Sequence, residues 1–99
     1  MEDGFHGGFE WDEEKRLTVL EKHGIDFRRA VEIFEGSTHV SPSRQSESEE
    51  RWIAIGILDQ VEIAVIYTMR EQICRIITAR RARRYEREKY HARFPGGGA

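Results

Sequence analysis

A chain of 99 residues, 38% hydrophobic and 34% charged, fits one small domain with a modest core, since folded domains average about 45–50% apolar and about 25% charged residues. One cysteine, Cys74, excludes an internal disulfide and a thiolate metal site, and the longest apolar run, residues 52–58, falls far short of the ~20 residues a membrane helix needs. With Met1-Glu2-Asp3-Gly4 lacking the basic and apolar regions of a secretory signal, the expected location is the cytoplasm.

The net charge of −2 hides an asymmetry. Residues 1–50 hold 6 Lys+Arg against 13 Asp+Glu, whereas residues 51–99 hold 10 against 5, and 9 of the latter basic residues lie between Arg70 and Arg93. Such a segment is either a solvated face or one able to neutralise phosphates.

In chain order, residues 1–8 are expected to be a disordered extension and residues 95–99 a disordered tail, which leaves residues 9–94 as the folded domain. Asp12 ahead of Glu13 and Glu14, and Lys22-His23 ahead of Gly24, bracket a helix over Glu13–His23. A second helix follows between Asp26 as cap and Gly36 as stop, with Phe27, Ala30, Val31 and Phe34 at the spacing of one buried stripe. Residues 37–50 lack a helical period and contain Ser41-Pro42-Ser43, which predicts a short edge strand at 38–40 and then a mobile loop. Three runs rich in Ile and Val, residues 51–58, 61–69 and 73–79, read as an antiparallel meander joined by Asp59-Gln60 and Arg70-Glu71-Gln72. In the third run strict alternation sets Ile73, Arg75, Ile77 and Ala79 against Cys74, Ile76, Thr78 and Arg80, so each sheet face carries one arginine. Residues 81–92 predict a basic C-terminal helix. Together these give an α+β fold of two N-terminal helices, a small antiparallel sheet of three to four strands and a closing helix.

The chain holds no Gly-rich phosphate loop and no HExxH or EF-hand pattern, and His6, His23, His39 and His91 lack ligand spacing, so neither a metal nor a cofactor is expected. Arginines beside a histidine and several aromatics suit cleavage of RNA by its own 2′-hydroxyl. That reaction needs a proton acceptor, cations on the pentavalent phosphate and an acid or cation at the leaving 5′-oxygen. Arg75 is either paired to an acid such as Glu62 or aimed into a cleft, and Arg80 stands where strand hands over to helix. Arg75 and Arg80 are therefore the candidates for holding the phosphate, with His23 or Lys15 moving a proton. His23 reads equally as a histidine capping a helix C-terminus. Arg83, Arg84, Arg87 and Arg93 are solvated or steer phosphate. Two other readings compete: a nucleic-acid- or protein-binding module without catalysis, and an interaction domain whose acidic and basic halves complement a partner.

Four motifs in order resemble the BrnT toxin family: Phe9-Glu10-Trp11-Asp12 with Lys15; Lys22-His23-Gly24-Ile25 with Phe27 and Ala30; Glu50-Arg51 with a strand to Gly56; and Arg75-Ile76-Ile77-Thr78-Ala79-Arg80 with Ala82, Glu86 and Tyr90. The resemblance implies a RelE-like fold, a type II ribonuclease toxin, and a BrnA-like ribbon-helix-helix antitoxin. It also implies repression of the pair's own operator DNA and a 2:2 assembly. The family's recurring polar residues fall on Lys15, His23, Arg51, Arg75, Arg80, Glu86 and Tyr90, which makes Arg51 and Tyr90 candidates for RNA contact beside Arg83, Arg84 and Arg87, and Glu86 a residue orienting an arginine. Val19 departs from the family's frequent Asn, and Thr78 from its Ser.

Overall fold

A computed structural model describes residues 3–43 and 49–96. Helix α1 (Glu13–His23) begins where the Asp12 carboxylate accepts the backbone N–H groups of Glu14 at 2.9 Å and Lys15 at 3.3 Å. It stops at Gly24, whose φ of 70° would strain any side chain and whose N–H reaches the Leu20 carbonyl at 2.9 Å. Asp26 caps the single turn of α2 (Phe27–Ala30) and also receives Arg16 of α1 at 3.2 Å, so one carboxylate ties the two helices together. A 3-10 helix (Val31–Glu35) follows α2 without a break.

Strands β1 (Asp3–His6), β2 (Phe9–Asp12), β3 (His39–Ser43), β4 (Arg51–Leu58), β5 (Val61–Arg70) and β6 (Ile73–Arg81) form one sheet in the order β1-β2-β6-β5-β4-β3. Every pairing is antiparallel except that of β2 with β6, which is parallel. Helix α3 (Arg84–Arg93) closes the chain.

This corrects the expected architecture in three respects. The sheet is six-stranded and mixed rather than an antiparallel set of three or four. Strand β2 is only four residues long and runs straight into α1, so its alternation is too brief to read, and its partners Cys74, Arg75 and Ile76 lie far along the chain. Strand β1 lies inside the segment expected to be an unpacked extension. Gly4 faces Trp11 in that pairing, and a Cβ at Gly4 would overlap the Trp11 indole. Finally, the second N-terminal helix is one α turn and a 3-10 segment, because the β-branched Val31 and Ile33 disfavour continued α-helix and Phe34 wedges between Phe9 and Tyr67 with ring centroids 5.3 Å from each. The expected loop at residues 41–50 starts later, since β3 reaches Ser43, and residues 44–48 lie outside the described residues, as do 1–2 and 97–99 of the expected extension and tail.

The hairpins turn tightly at Asp59-Gln60, with φ of 51° and 67°, and at Glu71-Gln72, with φ of 48° and 75°. Two consecutive positive angles match the twist of the flanking strands. One irregularity in β5–β6 matters more: Ile66 opposes Thr78 and Tyr67 opposes Ile76, which leaves Ile77 without a partner. The extra residue shifts the alternation by one. Cys74, Ile76 and Ala79 therefore share the face packed on α1 and α2, and Arg75, Thr78 and Arg80 share the other. The expectation of one arginine on each face is overturned by this bulge.

The α1 face carries the larger core, with Trp11, Val19, Phe27, Val65, Ile76 and Ala79 buried and Trp11 edge-on to Phe27 at 6.2 Å. The α3 face has a smaller one of Ile55, Ala64, Ala82 and Tyr90. Among the described residues no helix is long and apolar enough to cross a membrane.

Candidate active site

The strand-to-helix corner after β6 is built by local hydrogen bonds. Ala82 N–H donates to the Glu62 carbonyl at 3.0 Å, and Arg87 returns to the Ala82 carbonyl at 2.7 Å. Arg83 at the N-cap has no acceptor in its side chain, so Glu86 supplies the cap from inside the helix, accepting the Arg83 N–H at 2.7 Å. The same Glu86 carboxylate takes both terminal nitrogens of Arg80, at 2.7 and 2.9 Å. A planar fork on a planar carboxylate fixes the guanidinium in orientation as well as position. Burial alone would raise the Glu86 carboxyl, but the hydrogen bonds from Arg80 and Arg83 outweigh it and hold the group below its ordinary value of 4.5.

Further along α3, Tyr90 is fully buried and donates its hydroxyl to the Ser37 carbonyl at 3.0 Å, just ahead of β3. His91 meets Glu62 at 2.6 Å. These contacts hold α3 against β4 and β3, and a groove of about 560 Å³ opens between its exposed side and β3. His39, Ser41 and Ser43 line the β3 side, Ile53 and Ile55 the floor, and Arg80, Arg83, Tyr85 and Lys89 the α3 side. Lys89 lies over the Tyr85 ring at 5.8 Å. Among the described residues the one carboxylate lining the groove, Glu86, is engaged by Arg80, and Arg83 and Lys89 make that lining cationic. Phosphate and exposed bases suit such a surface.

Of the four residues expected to carry the chemistry, Arg80 alone lines this groove. Arg75 stands on the same sheet face but is bound to Glu10 at 2.7 Å and Asp3 at 3.3 Å, while Glu62, weighed as its partner, is held by His91. Lys15 and His23 are exposed on α1, across the sheet from the groove. Arg51 sits half-buried at the start of β4 with its Nε 3.8 Å from a Glu49 carboxylate oxygen. Arg83 lines the groove, whereas Arg84 projects into solvent near Glu88 at 3.6 Å, and Arg87 spends its guanidinium on the Ala82 carbonyl. Tyr90 has no exposed ring face for a base to stack on. Glu86 lines the groove and accepts both terminal nitrogens of Arg80. Val19 is buried in the α1-face core, where an amide would need a hydrogen-bonding partner. The sequence reading missed His39, Tyr85 and Lys89 as neighbours. The only available signal was the alternation placing His39, Ser41 and Ser43 on one side of a short strand.

The groove thus sets Arg80, Arg83, Lys89 and the Tyr85 ring on one face of a small α+β domain. A family model for the ribonuclease toxin BrnT of type II toxin–antitoxin systems matches residues 11–86, and the chain belongs to that family. No curated protein matches the chain. The matched span runs from Trp11, inside β2, through Arg80 to Glu86, and a ribonuclease toxin of a type II system has an antitoxin partner and an RNA substrate.

Proposed function

We propose that the groove between β3 and α3 is where this ribonuclease toxin cuts RNA, by attack of the ribose 2′-hydroxyl on the adjacent phosphate and without a metal ion. The observation carrying the proposal is Arg80, whose fork is pre-set by a buried carboxylate at the wall of a cationic groove. Its Nη1 also donates to the Arg81 carbonyl at 3.2 Å, so the outer N–H of Nη2 is the one left for a phosphate oxygen. Arg83 and Lys89 add charge at the place where the pentavalent phosphate gains it, and such pre-positioned donors are worth roughly 3 kcal/mol each in phosphoryl and acyl chemistry. Tyr85 offers a half-exposed ring for a neighbouring base.

The partner in this reading is a BrnA-like antitoxin with a ribbon-helix-helix domain, which joins two toxins in a 2:2 complex on its own operator DNA and keeps the toxin silent in the cytoplasm. The support for that part is the resemblance of the Trp11-Asp12, Lys22-His23-Gly24 and Arg75 to Arg80 motifs.

Arg80→Lys tests the proposal. Lysine keeps the charge and the pair with Glu86 but loses the second prong, so cleavage of RNA in the presence of EDTA should fall about 10- to 100-fold with the melting temperature nearly unchanged. Cleavage at the parent rate in a folded Arg80→Lys variant would move the site elsewhere, and loss of the parent's activity on adding EDTA would remove the metal-free mechanism.

A further inference from the structure

We infer that His39 is the catalytic proton acceptor of this groove, taking the proton from the ribose 2′-hydroxyl; the inference rests on the groove being the RNA-cleaving site. Cleavage by the 2′-oxygen needs a group with a free lone pair near neutral pH. Arg80 and Arg83 cannot supply one, and the ammonium of Lys89 has none. Glu86 has its oxygens committed to the Arg80 fork and the Arg83 N–H. The hydroxyls of Ser41, Ser43 and Tyr85 are weakly basic groups. His39 is half-buried on the opposite wall, and among the described residues its side chain has no hydrogen bond or ion pair. Histidine is the side chain suited by nature to gain and lose a proton in that range.

Strand register adds an independent argument. His39 pairs with Ile55, Ile55 with Ala64 and Ala64 with Arg80, so His39 and Arg80 end one row across four neighbouring strands and point to the same face. Three strand spacings separate their backbones by about 14 Å. Ile55 and Ala64 between them are buried under Tyr90 and Ala82, which makes that separation rigid. Both side chains line the groove, one from each wall.

In the step itself His39 accepts the 2′-proton, the 2′-oxygen bonds to phosphorus, and the bond from phosphorus to the 5′-oxygen breaks. The 5′-oxygen takes a proton from solvent water, and His39 later returns its own to solvent. The products are a 2′,3′-cyclic phosphate and a 5′-hydroxyl, with no change of oxidation state. Arg80 opposite steadies the charge on the phosphate oxygens.

The experiment uses the full chain, a mixed-sequence RNA oligonucleotide pool that the parent cuts, and the 2′-O-methyl counterpart of that pool, which cannot be cut. His39→Ala and the polar His39→Gln should each slow cleavage about 100-fold or more while binding of the 2′-O-methyl pool stays within about threefold, and added imidazole should restore cleavage to His39→Ala. Two outcomes overturn the assignment: near-parental cleavage by folded His39→Ala or His39→Gln, or a fall in cleavage matched by an equal fall in binding without rescue by imidazole. Arg80→Lys, run alongside, separates the two readings. Impaired Arg80→Lys with active His39 variants leaves the groove in place and removes His39, whereas full activity in all of them removes the groove as well.

Discussion

The two faces of the sheet divide the work. The α1 face is aromatic and dry, with Trp11 and Phe27 at 1% and 0% exposure and Phe9, Phe34 and Tyr67 in ring contact. The α3 face seals a smaller patch around Tyr90, with Ile53, Ile57 and Phe94 at its margin, and carries the polar walls of the groove. A small domain that concentrates apolar burial on one side can hold a charged, hydrated site on the other without unfolding. The charge asymmetry of the sequence divides along similar lines. Arg75 is answered by Glu10 and Asp3 and Arg70 by Glu49, all acids of the N-terminal half, while Arg83 and Lys89 face the groove. Part of the basic excess is internal mortar, and the remainder is available to an anion.

The comparison can be tested hardest at Phe27. Its truncation to Ala empties the centre of the α1 face and should lower stability by about 3–5 kcal/mol in urea unfolding followed by tryptophan fluorescence, against about 1 kcal/mol for Tyr90→Phe, which removes only the hydroxyl from the α3 face. Equal losses at the two positions would abolish the division. Next in size is Glu86→Gln, which weakens a charge-assisted pair and should destabilise by about 2 kcal/mol at pH 7. Because the folded carboxyl sits below its ordinary 4.5, its contribution is complete above that value and is lost as pH falls through the depressed one. The gap between parent and Glu86→Gln should therefore narrow in acid below about pH 4.5, and a gap independent of pH would contradict the ion pair. The smallest effect sharpens the contrast by touching neither face: Gln72→Gly at φ 75° relieves left-handed strain and should add about 0.5–1 kcal/mol with RNA cleavage unchanged.

Much of the fold was legible because its signals are local. The Asp12 cap and Gly24 stop mark α1, and the runs of β-branched residues mark β4, β5 and β6. Strand β2 escaped because pairing with the distant β6, not propensity, makes it a strand, and β1 escaped with it because its one neighbour in the sheet is β2. The bulge at Ile77 escaped for a related reason: a one-residue shift of phase has no signature in a sequence that reads as apolar on both sides of it, and it put Arg75 and Arg80 on one face instead of two. The candidate site was half legible. Arg80 was suggested by its place where strand hands over to helix and Glu86 by the family resemblance, and the two meet across one corner, whereas His39 joins Arg80 only through the register of four strands.

Cys74 lies in the α1-face core at 7% exposure, and burial pushes its thiol up to about 12. At neutral pH the folded chain thus presents essentially no thiolate, the form that oxidants and alkylating reagents attack. The lone cysteine is chemically silent while the domain stays closed and reactive once the core opens. A maleimide or disulfide reagent then reads out opening of the α1 face directly, one covalent mark per molecule, without an added probe.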